Sequence, residues 1–381
     1  LHPSPESRPE LLFVEVDNQS LEAMGPWPWT RDKLADALLR MKELGAETAV
    51  FDIEYLSPSH LAVAPDAAEK LGQAFASQKE EIAGLVEELS GAVERGYVTK
   101  NELPAMAREM IDGYIYPGMD ALRQSVESSV WRDNDAFFAS ALQFFGDSWL
   151  TINIVDIETT ISEEDKAYVE ERCLFSFVDD PADRILASNL YYAADQGNEL
   201  GFAPALPLFM RHAAGAGFTN IVLDSDGSRR RVELLHKHTA GDGSASYVAQ
   251  LTFAPLLQLC RPEKIIRTPR SLRLLQARLP GAPGPQNITI PLDSHGRMLV
   301  NWLHKEFKDS FRHESVYFLY QLGEIEKNIV ACLEALEGFT LWNEDGSAMA
   351  YRAAAAGLTD YYRQLAAWRG QLLDACRGYD S

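Results

Sequence analysis

No stretch of the sequence stays apolar over the roughly 20 residues that a membrane-spanning helix requires. The longest candidate runs from Leu200 to Met210, and Pro204 and Pro207 interrupt it. The chain begins with Leu1 and not with Met, so we expect it to be a piece excised from a longer protein. Any membrane contact would then come from helices outside these 381 residues.

Basic residues are scarce relative to acidic ones. The 35 Lys and Arg residues against 56 Asp and Glu residues give a formal net charge of -21. Nucleic acid and anionic bilayer surfaces would be repelled by most of such a protein, so neither is an expected partner. An unknown small ligand or a cation is easier to reconcile with this charge.

Cysteines are few and widely spaced. The four of them are Cys173, Cys260, Cys332 and Cys376, and no two form a CxxC pair. This spacing excludes both a zinc knuckle and a disulfide-dense scaffold.

The common catalytic and cofactor motifs are also missing. The sequence contains no GxSxG, P-loop, GxGxxG or HExxH motif. Asp224, Asp226 and Gly227 suggest a calcium loop, but placing Gly227 at the sixth position puts Val222 at the first, where a ligand is required. The motifs therefore predict no catalytic residue, no metal ligand and no cofactor.

The first patterned segment reads as strand, helix and strand. Leu12 to Val16 and Thr48 to Tyr55 are strand-like, while Thr30 to Gly45 offers an N-cap, helical spacing and a glycine stop. Such a segment makes a parallel βαβ unit whose strands are neighbours or near neighbours. The chain length and the 46% hydrophobic content allow a substantial core, in one large domain or two.

Both of these strands end in acidic residues. Asp17 and Asp52, with Glu15 and Glu54 close by, would lie at the carboxyl edge of the sheet, where open α/β sheets present ligand sites. Carboxylates at such an edge can perform acid–base chemistry or hold a cation. They also cap loops and helix N-termini, and we rank this structural role first.

The turn between the first strand and its helix is aromatic and ends in a cation. Trp27 and Trp29 either form the wall of a pocket or bury the turn against the core. Arg31 either pairs with Asp17 or Asp52 or points into solvent.

The rest of the chain mixes helices with hairpin signals. The sequence pattern of residues 57–130 predicts an inserted helical hairpin. A third core strand is predicted at residues 149–155. Segments 219–235 and 288–302 each read as strand, Asp-rich turn and strand. The predicted fold class is α/β, with a mixed β-sheet that begins with a parallel βαβ unit, antiparallel hairpins later, a large helical insertion and a helical C-terminal segment.

Several motifs occur together in one order. LFVEVDNQSLEAMGPWPWTR and AETAVFDIEY are followed by DNDAFFASAL, NIVLDSDGSRRRVELL and IPLDSHGRMLVNW. Together they resemble the type-two CHASE domain, an extracytoplasmic sensor domain of bacterial transmembrane receptors, although Tyr55 stands where the family often has Phe. The resemblance covers residues 11–56 and 131–310, with 57–130 as an inserted helical hairpin and 311–381 as a C-terminal helical segment.

The resemblance implies a sensory input domain that lies outside the cytoplasm in an integral membrane protein and has no catalytic residues of its own. The implied output is a separate cyclase or kinase domain, and the SVYFLYQLGEIEKN helix is most similar to versions attached to adenylate cyclases. Any ligand pocket would lie nearest Asp17, Trp29, Arg31 and Asp52. The Gly-rich final strand of the family does not occur before Ser381, so we expect the chain to end before that strand.

Two other functions stay open at this point. Glu15, Asp17, Asp52 and Glu54 would suit a soluble metal-dependent hydrolase with acids at its strand ends. The helical insertion and tail would suit an assembly module that pairs subunits as a homodimer, which is compatible with a receptor.

Overall fold

The computed structural model describes residues 8, 10–59, 62–63, 67–156, 162–175, 178–179, 200–239, 245–337 and 351–377. The chain divides into two compact units. The first unit comprises Leu1–Pro58 and Asp135–Ser381, and the second comprises Ser59–Asn134. The mixed α/β class predicted from the sequence is confirmed, with both parallel and antiparallel strand pairs.

The helices and strands follow one another in this order. The chain starts with β1 (Leu12–Glu15), α1 (Asn18–Met24), α2 (Arg31–Glu43) and β2 (Ala49–Val50). Next come β3 (Ala62–Val63), α3 (Ala67–Glu94), α4 (Leu103–Met110), a π-helical turn (Ile111–Ile115), α5 (Tyr116–Val130) and β4 (Trp131–Arg132). They are followed by α6 (Asn134–Phe145), β5 (Ser148–Asp156), α7 (Glu163–Arg172), β6 (Val178–Asp179), β7 (Leu200–Pro204), α8 (Pro207–His212) and β8 (Gly215–Phe218).

The remaining elements are mostly strands, with helices at the end. They are β9 (Arg231–Val232), β10 (Leu235–Thr239), β11 (Ala245–Ala249), α9 (Phe253–Cys260), β12 (Lys264–Thr268), β13 (Ser271–Ala277), β14 (Gln286–Pro291), β15 (Met298–Leu299), α10 (Phe307–Ser310), β16 (Arg312–Ser315), α11 (Val316–Glu337) and α12 (Tyr351–Arg377).

Two helices follow β1. Asp17 is the N-cap of α1, a helix that the sequence did not predict because seven residues are too few to show a helical period. α2 matches its prediction, since Thr30 precedes it and Gly45 follows it with a φ of 91°. That left-handed backbone geometry favours glycine at the end of a helix.

β5 is the central strand of the main sheet in the first unit. β2 and β8 pair in parallel with its first half, and β7 pairs antiparallel with its second half. Ile152 lies between two partners, Pro204 of β7 and Phe218 of β8. The predicted third core strand therefore organises this sheet.

The βαβ unit predicted at the start of the chain differs from the structure in its pairing. β1 pairs in parallel with β16, so that Leu12 lies opposite Arg312, whereas β2 pairs with β5. Within the described residues, the two strands that α2 connects are not hydrogen-bonded to each other. Hydrophobic spacing identifies a strand but not its partner, and the partner of β1 comes from the far end of the sheet-forming sequence.

The two predicted hairpins also pair differently. Their Asp-rich turns form as expected, because the Gly227 amide donates to the Asp224 carbonyl at 2.8 Å and the Gly296 amide donates to the Asp293 carbonyl at 3.1 Å. Residues 219–224, which are described throughout, do not form a strand. β9 and β15 pair antiparallel with each other, and β14 pairs with β13 in the sheet β14–β13–β12–β6. The two similar segments therefore lie side by side.

The second unit is mainly helical. α3 contacts α5, and α4 continues through the π-helical turn into α5. β3 and β4 pair antiparallel, with Ala62 opposite Arg132. The helices expected over residues 57–130 are present, while the division of the chain into a sensor core, an insertion and a tail stays a prediction.

The first unit contains two hydrophobic clusters. The first cluster includes Leu38 of α2, Leu142 of α6 and Leu150 of β5, all fully buried. The second cluster is built on β10 to β14 and α9, and Trp149 of β5 belongs to it. Side chains of adjacent residues on a strand point to opposite faces, so β5 contributes to both clusters.

The C-terminal helices form as predicted from Ser315 onward. α11 contacts both α12 and α2. Among the described helices, none combines the length and the apolar content that a bilayer span needs.

Candidate functional site

Arg31, a predicted site residue, is buried at the start of α2. Its Nε lies 3.7 Å from Oδ1 of Asp135, and its Nη2 donates to the Ser57 carbonyl at 3.3 Å. The guanidinium carbon lies 4.7 Å from the centre of the Tyr55 ring, a cation–π distance. Arg31 forms no ion pair with Asp17 or Asp52 and does not point into solvent, so both alternatives drawn from the sequence are wrong.

Tyr55 is fully buried beside Arg31. Burial raises the pKa of its phenol well above the ordinary value, and the Arg31 charge offsets only part of that rise. Its hydroxyl oxygen has no hydrogen-bond partner among the described residues. The ring contacts Phe51, Phe138 and Phe209 at centroid distances of 6.1, 5.1 and 5.6 Å.

Trp29 is a core residue with only 4% of its surface exposed. Its Nε1 donates to the Gly25 carbonyl at 2.7 Å, which closes the turn before α2. The more exposed Trp27 packs edge-on against it, with a centroid distance of 5.4 Å. Of the two roles considered for Trp29, burying the turn is therefore the one seen in the structure.

Asp17 connects the beginning of the domain with its C-terminal helices. Its Oδ1 accepts hydrogen bonds from the Ser20 amide at 2.9 Å and from the Ser315 hydroxyl at 2.7 Å. These two bonds, with the Ser20 amide foremost, hold the pKa of Asp17 below its ordinary value. Ser315 ends β16 and directly precedes α11, and its Oγ also accepts from the Tyr317 amide. Asp17 thus has the structural role ranked first in the sequence analysis.

Asp52 is exposed, and its carboxylate has no hydrogen-bond or ion-pair partner within the described part of the chain. The structure therefore gives the four predicted residues different environments. Trp29 and Arg31 lie in or beside the first hydrophobic cluster, Asp17 caps a helix, and Asp52 faces solvent. No hydrogen bond or ion pair joins any two of them. Whether they bind a ligand stays a prediction.

The acids proposed for metal chemistry are not gathered together. Oε1 of Glu15 lies 3.2 Å from Nδ1 of His313, and Asp17 is used as the cap of α1. Asp52 and Glu54 are exposed and follow a strand of a different sheet. Across the described residues, no three His, Cys, Asp or Glu side chains lie close enough to hold a metal ion.

Sequence reasoning missed Asp135 and Ser315. Asp135 lies in the DNDAFFASAL motif, and the signal that could have found it is a carboxylate in the first turn of a helix. Ser315 carried no signal, because its role depends on the pairing of β1 with β16.

A second cluster of motif residues surrounds Arg231. Its Nε lies 3.0 Å from Oδ2 of Asp293 in the second turn, and its Nη1 binds Oδ1 of Asp224 in the first. Arg230 reaches Asp224 and Asp226, and its hydrogen bonds hold the pKa of Asp226 below the ordinary value. Arg231 thus joins the two similar turns to each other.

A third group of charges joins helices. Arg40 of α2 and Arg369 of α12 both bind the carboxylate of Glu326 on α11, and Arg369 also binds Glu43 of α2. Burial raises the pKa of Glu326, but the hydrogen bond from Arg369 and the charge of Arg40 outweigh this effect and lower it. The group therefore connects three helices through alternating charges.

Motif residues that are distant in the sequence are thus in contact in the first unit. Arg31 contacts Tyr55 and Asp135, and Arg231 binds acids of both turns. The family model of the CHASE2 domain matches residues 1–332. The chain belongs to the CHASE2 domain family. Comparison with curated proteins and comparison with solved structures each gave no match.

CHASE2 domains are extracytoplasmic sensory domains of membrane receptors, and they are not themselves catalytic. The resemblance noted in the sequence is therefore confirmed, as is the sensory class of the domain. The matched range includes the helical insertion and most of α11.

Proposed function

We propose that this CHASE2 domain is the signal-input part of a transmembrane receptor whose output is an adenylate cyclase. The family match over residues 1–332 is the observation that carries the proposal. The choice of a cyclase over a kinase rests on the similarity of the SVYFLYQLGEIEKN segment, which corresponds to the first half of α11.

The contacts of α11 support a route for the signal. α11 starts immediately after Ser315, which binds Asp17 at the end of β1. Further along, Glu326 binds Arg40 and Arg369. A change in the β1–β16 strand pair would therefore act on α11 at Ser315, and a change in α2 would act on α11 at Glu326. From Glu326 the change would reach α12 through Arg369.

Sequencing the gene on both sides of this segment tests the receptor and its output. We expect apolar segments of about 20 residues that flank the domain, followed by a cyclase catalytic domain. A kinase domain in that place would retain the receptor and replace its output. A complete reading frame without apolar segments would contradict the receptor proposal.

The proposed ligand is a small molecule or cation that binds near Asp17, Trp29, Arg31 and Asp52. Asp52 is the best placed of the four, because it is exposed and its carboxylate has no partner among the described residues. Screening Mg²⁺, Ca²⁺ and organic cations by thermal unfolding would identify a stabilising ligand. Asp52→Asn should then abolish the stabilisation, whereas Asp112→Asn in the second unit should retain it. An unchanged response of Asp52→Asn would exclude this site.

A homodimer is a further part of the proposal. Several large apolar side chains of the C-terminal helices are exposed, among them Tyr361 and Trp368 of α12. Light scattering over a range of protein concentrations would measure the mass, and a monomer at the highest concentration would contradict a dimer formed by this segment alone.

A further inference from the structure

A cavity of about 250 Å³ lies in the first unit, and none of the four predicted site residues lines it. Its walls come from β5, β8, β11 and α9, together with the end of α7. Ala216 and Cys173 belong to the first hydrophobic cluster, whereas Trp149, Ala254 and Leu257 belong to the second. The cavity therefore lies at the seam where the two clusters meet.

Small residues leave space beside the Trp149 indole ring, except at Gly215, where the ring packs directly on the backbone. Gly215 lies so close to Trp149 that a Cβ at this glycine would come within 2.6 Å of the indole ring. Ala216 and Ala254 are buried and line the same space, and alanine side chains are too short to fill it. The indole ring is held in place, because its Nε1 donates to Oδ1 of Asp147 at 2.9 Å.

The walls and the rim of the cavity differ in polarity. The walls are mainly apolar. Burial raises the pKa of the Cys173 thiol to about 12, so this side chain is neutral at physiological pH. The exposed side chains of Arg172 and Gln258 stand at the rim. Arg172 has no hydrogen bond or ion pair within the described part of the chain. Its guanidinium is thus available to an oxygen of a ligand.

We propose that this cavity binds a compact, largely apolar molecule with one oxygen acceptor at the end that meets Arg172. Its size restricts the ligand, since a cavity of ~150 Å³ holds benzene and drug-sized pockets start at roughly 300 Å³. A single aromatic ring, or a branched aliphatic chain, with a hydroxyl, carbonyl or carboxylate group fits this range. The inference concerns binding by the domain and does not depend on the proposed cyclase output.

Fluorine NMR on the purified chain tests this binding with two probes, 4-fluorophenylacetate and the neutral 4-fluorobenzyl alcohol. We expect both to bind with dissociation constants of about 0.1–1 mM, as is usual for ligands of this size. Arg172→Gln should weaken the carboxylate probe several-fold, because the positive charge is lost, and the alcohol much less, because the Gln amide can still donate a hydrogen bond to a neutral hydroxyl. Arg211→Gln, which removes an exposed arginine that does not line the cavity, should leave both unchanged.

Variants whose larger side chains fill the cavity test the location of the binding site most directly. Ala254→Leu should weaken the binding of both probes at least tenfold, and Leu257→Phe serves the same purpose if the first variant does not fold. Ala37→Leu places the same extra volume at a buried position of α2 outside the cavity and should retain binding.

Two results would overturn the proposal. The first is the absence of binding of both probes to the wild-type chain at about 5 mM. The second is unchanged binding in folded filling variants, which would place the probes elsewhere. Neither result bears on the receptor proposal, which the flanking gene sequence decides.

Discussion

Arg369 of α12 donates a hydrogen bond from Nη2 to Oε2 of Glu43, at the end of α2, at 3.0 Å. Its Nη1 donates to Oε1 of Glu326 on α11 at 2.8 Å. Arg369 thus connects α12 both to α11 and to α2, and α2 packs in the first hydrophobic cluster. Since the receptor proposal passes the signal through these helices, the contribution of the Arg369 ion pairs to stability is the first property to measure.

Arg369→Gln should loosen α12. Charge networks that are partly shielded from solvent exceed isolated surface pairs, so we expect a loss of about 1 kcal/mol in the free energy of unfolding. Hydrogen exchange should increase along α12 more than in the sheet around β5. Arg363→Gln is the matched control, because Arg363 binds Glu334 between the same two helices but is more exposed. It should cost less than about 0.5 kcal/mol, and equal losses in the two variants would contradict a special role for Arg369.

The same network predicts a dependence on pH. The pKa of Glu326 in the folded protein lies below its ordinary value of 4.5, so the carboxylate stabilises the folded state above that pH. This contribution should be lost as the pH falls through the lowered pKa. Denaturant midpoints measured from pH ~6 down to pH ~3 should therefore fall more steeply for the wild-type chain than for Glu326→Gln. Parallel curves would show that Glu326 does not contribute.

The buried pair of Arg31 and Asp135 predicts a non-additive result. Arg31→Met should destabilise the domain by about 2–4 kcal/mol, because it leaves the Asp135 carboxylate buried without this cation. Adding Asp135→Leu should recover part of the loss. A double-mutant cycle by chemical unfolding measures the coupling, with the exposed pair Arg211 and Glu164 as the control. Additive losses at the buried pair would show that the two charges do not interact.

The outcome for Arg31 illustrates what the sequence reveals and what it does not. The helix from Thr30 to Gly45 follows from local capping and spacing, and these operate within a few residues. The partner of Arg31 does not follow from such local rules, because the 76 residues of the second unit, from Ser59 to Asn134, separate the two in the chain. Packing decides that Asp135 comes close to Arg31. For the same reason, the acid at Asp17 was recognised as a possible cap, but its bond to Ser315 was not foreseen.

The pairing of strands shows the same limit. The turns at Asp224 and Asp293 were recognisable, since a turn depends on its own four or five residues. That β9 would pair with β15 depends on contacts such as Arg231 with Asp293, which bring distant segments together. The cavity beside Trp149 was also invisible in the sequence, because a void is a property of packed neighbours and not of any one motif.

Tyr55→Phe should stabilise the domain. The hydroxyl of Tyr55 is fully buried and has no hydrogen-bond partner among the described residues, and burying such a group costs free energy. Phe keeps the ring that contacts Phe138 and the guanidinium of Arg31. We expect a gain of about 0.5–1 kcal/mol in the free energy of unfolding.

Chemical unfolding of Tyr55→Phe beside Tyr361→Phe separates this effect from a general loss of hydroxyl groups. Tyr361 is 58% exposed, so its hydroxyl can bond to water and its removal should change stability little. A destabilised Tyr55→Phe would mean that the hydroxyl has a partner such as a buried water molecule. In that case the space around Arg31 would be polar and occupied, and it would replace Asp52 as the first place to search for a ligand.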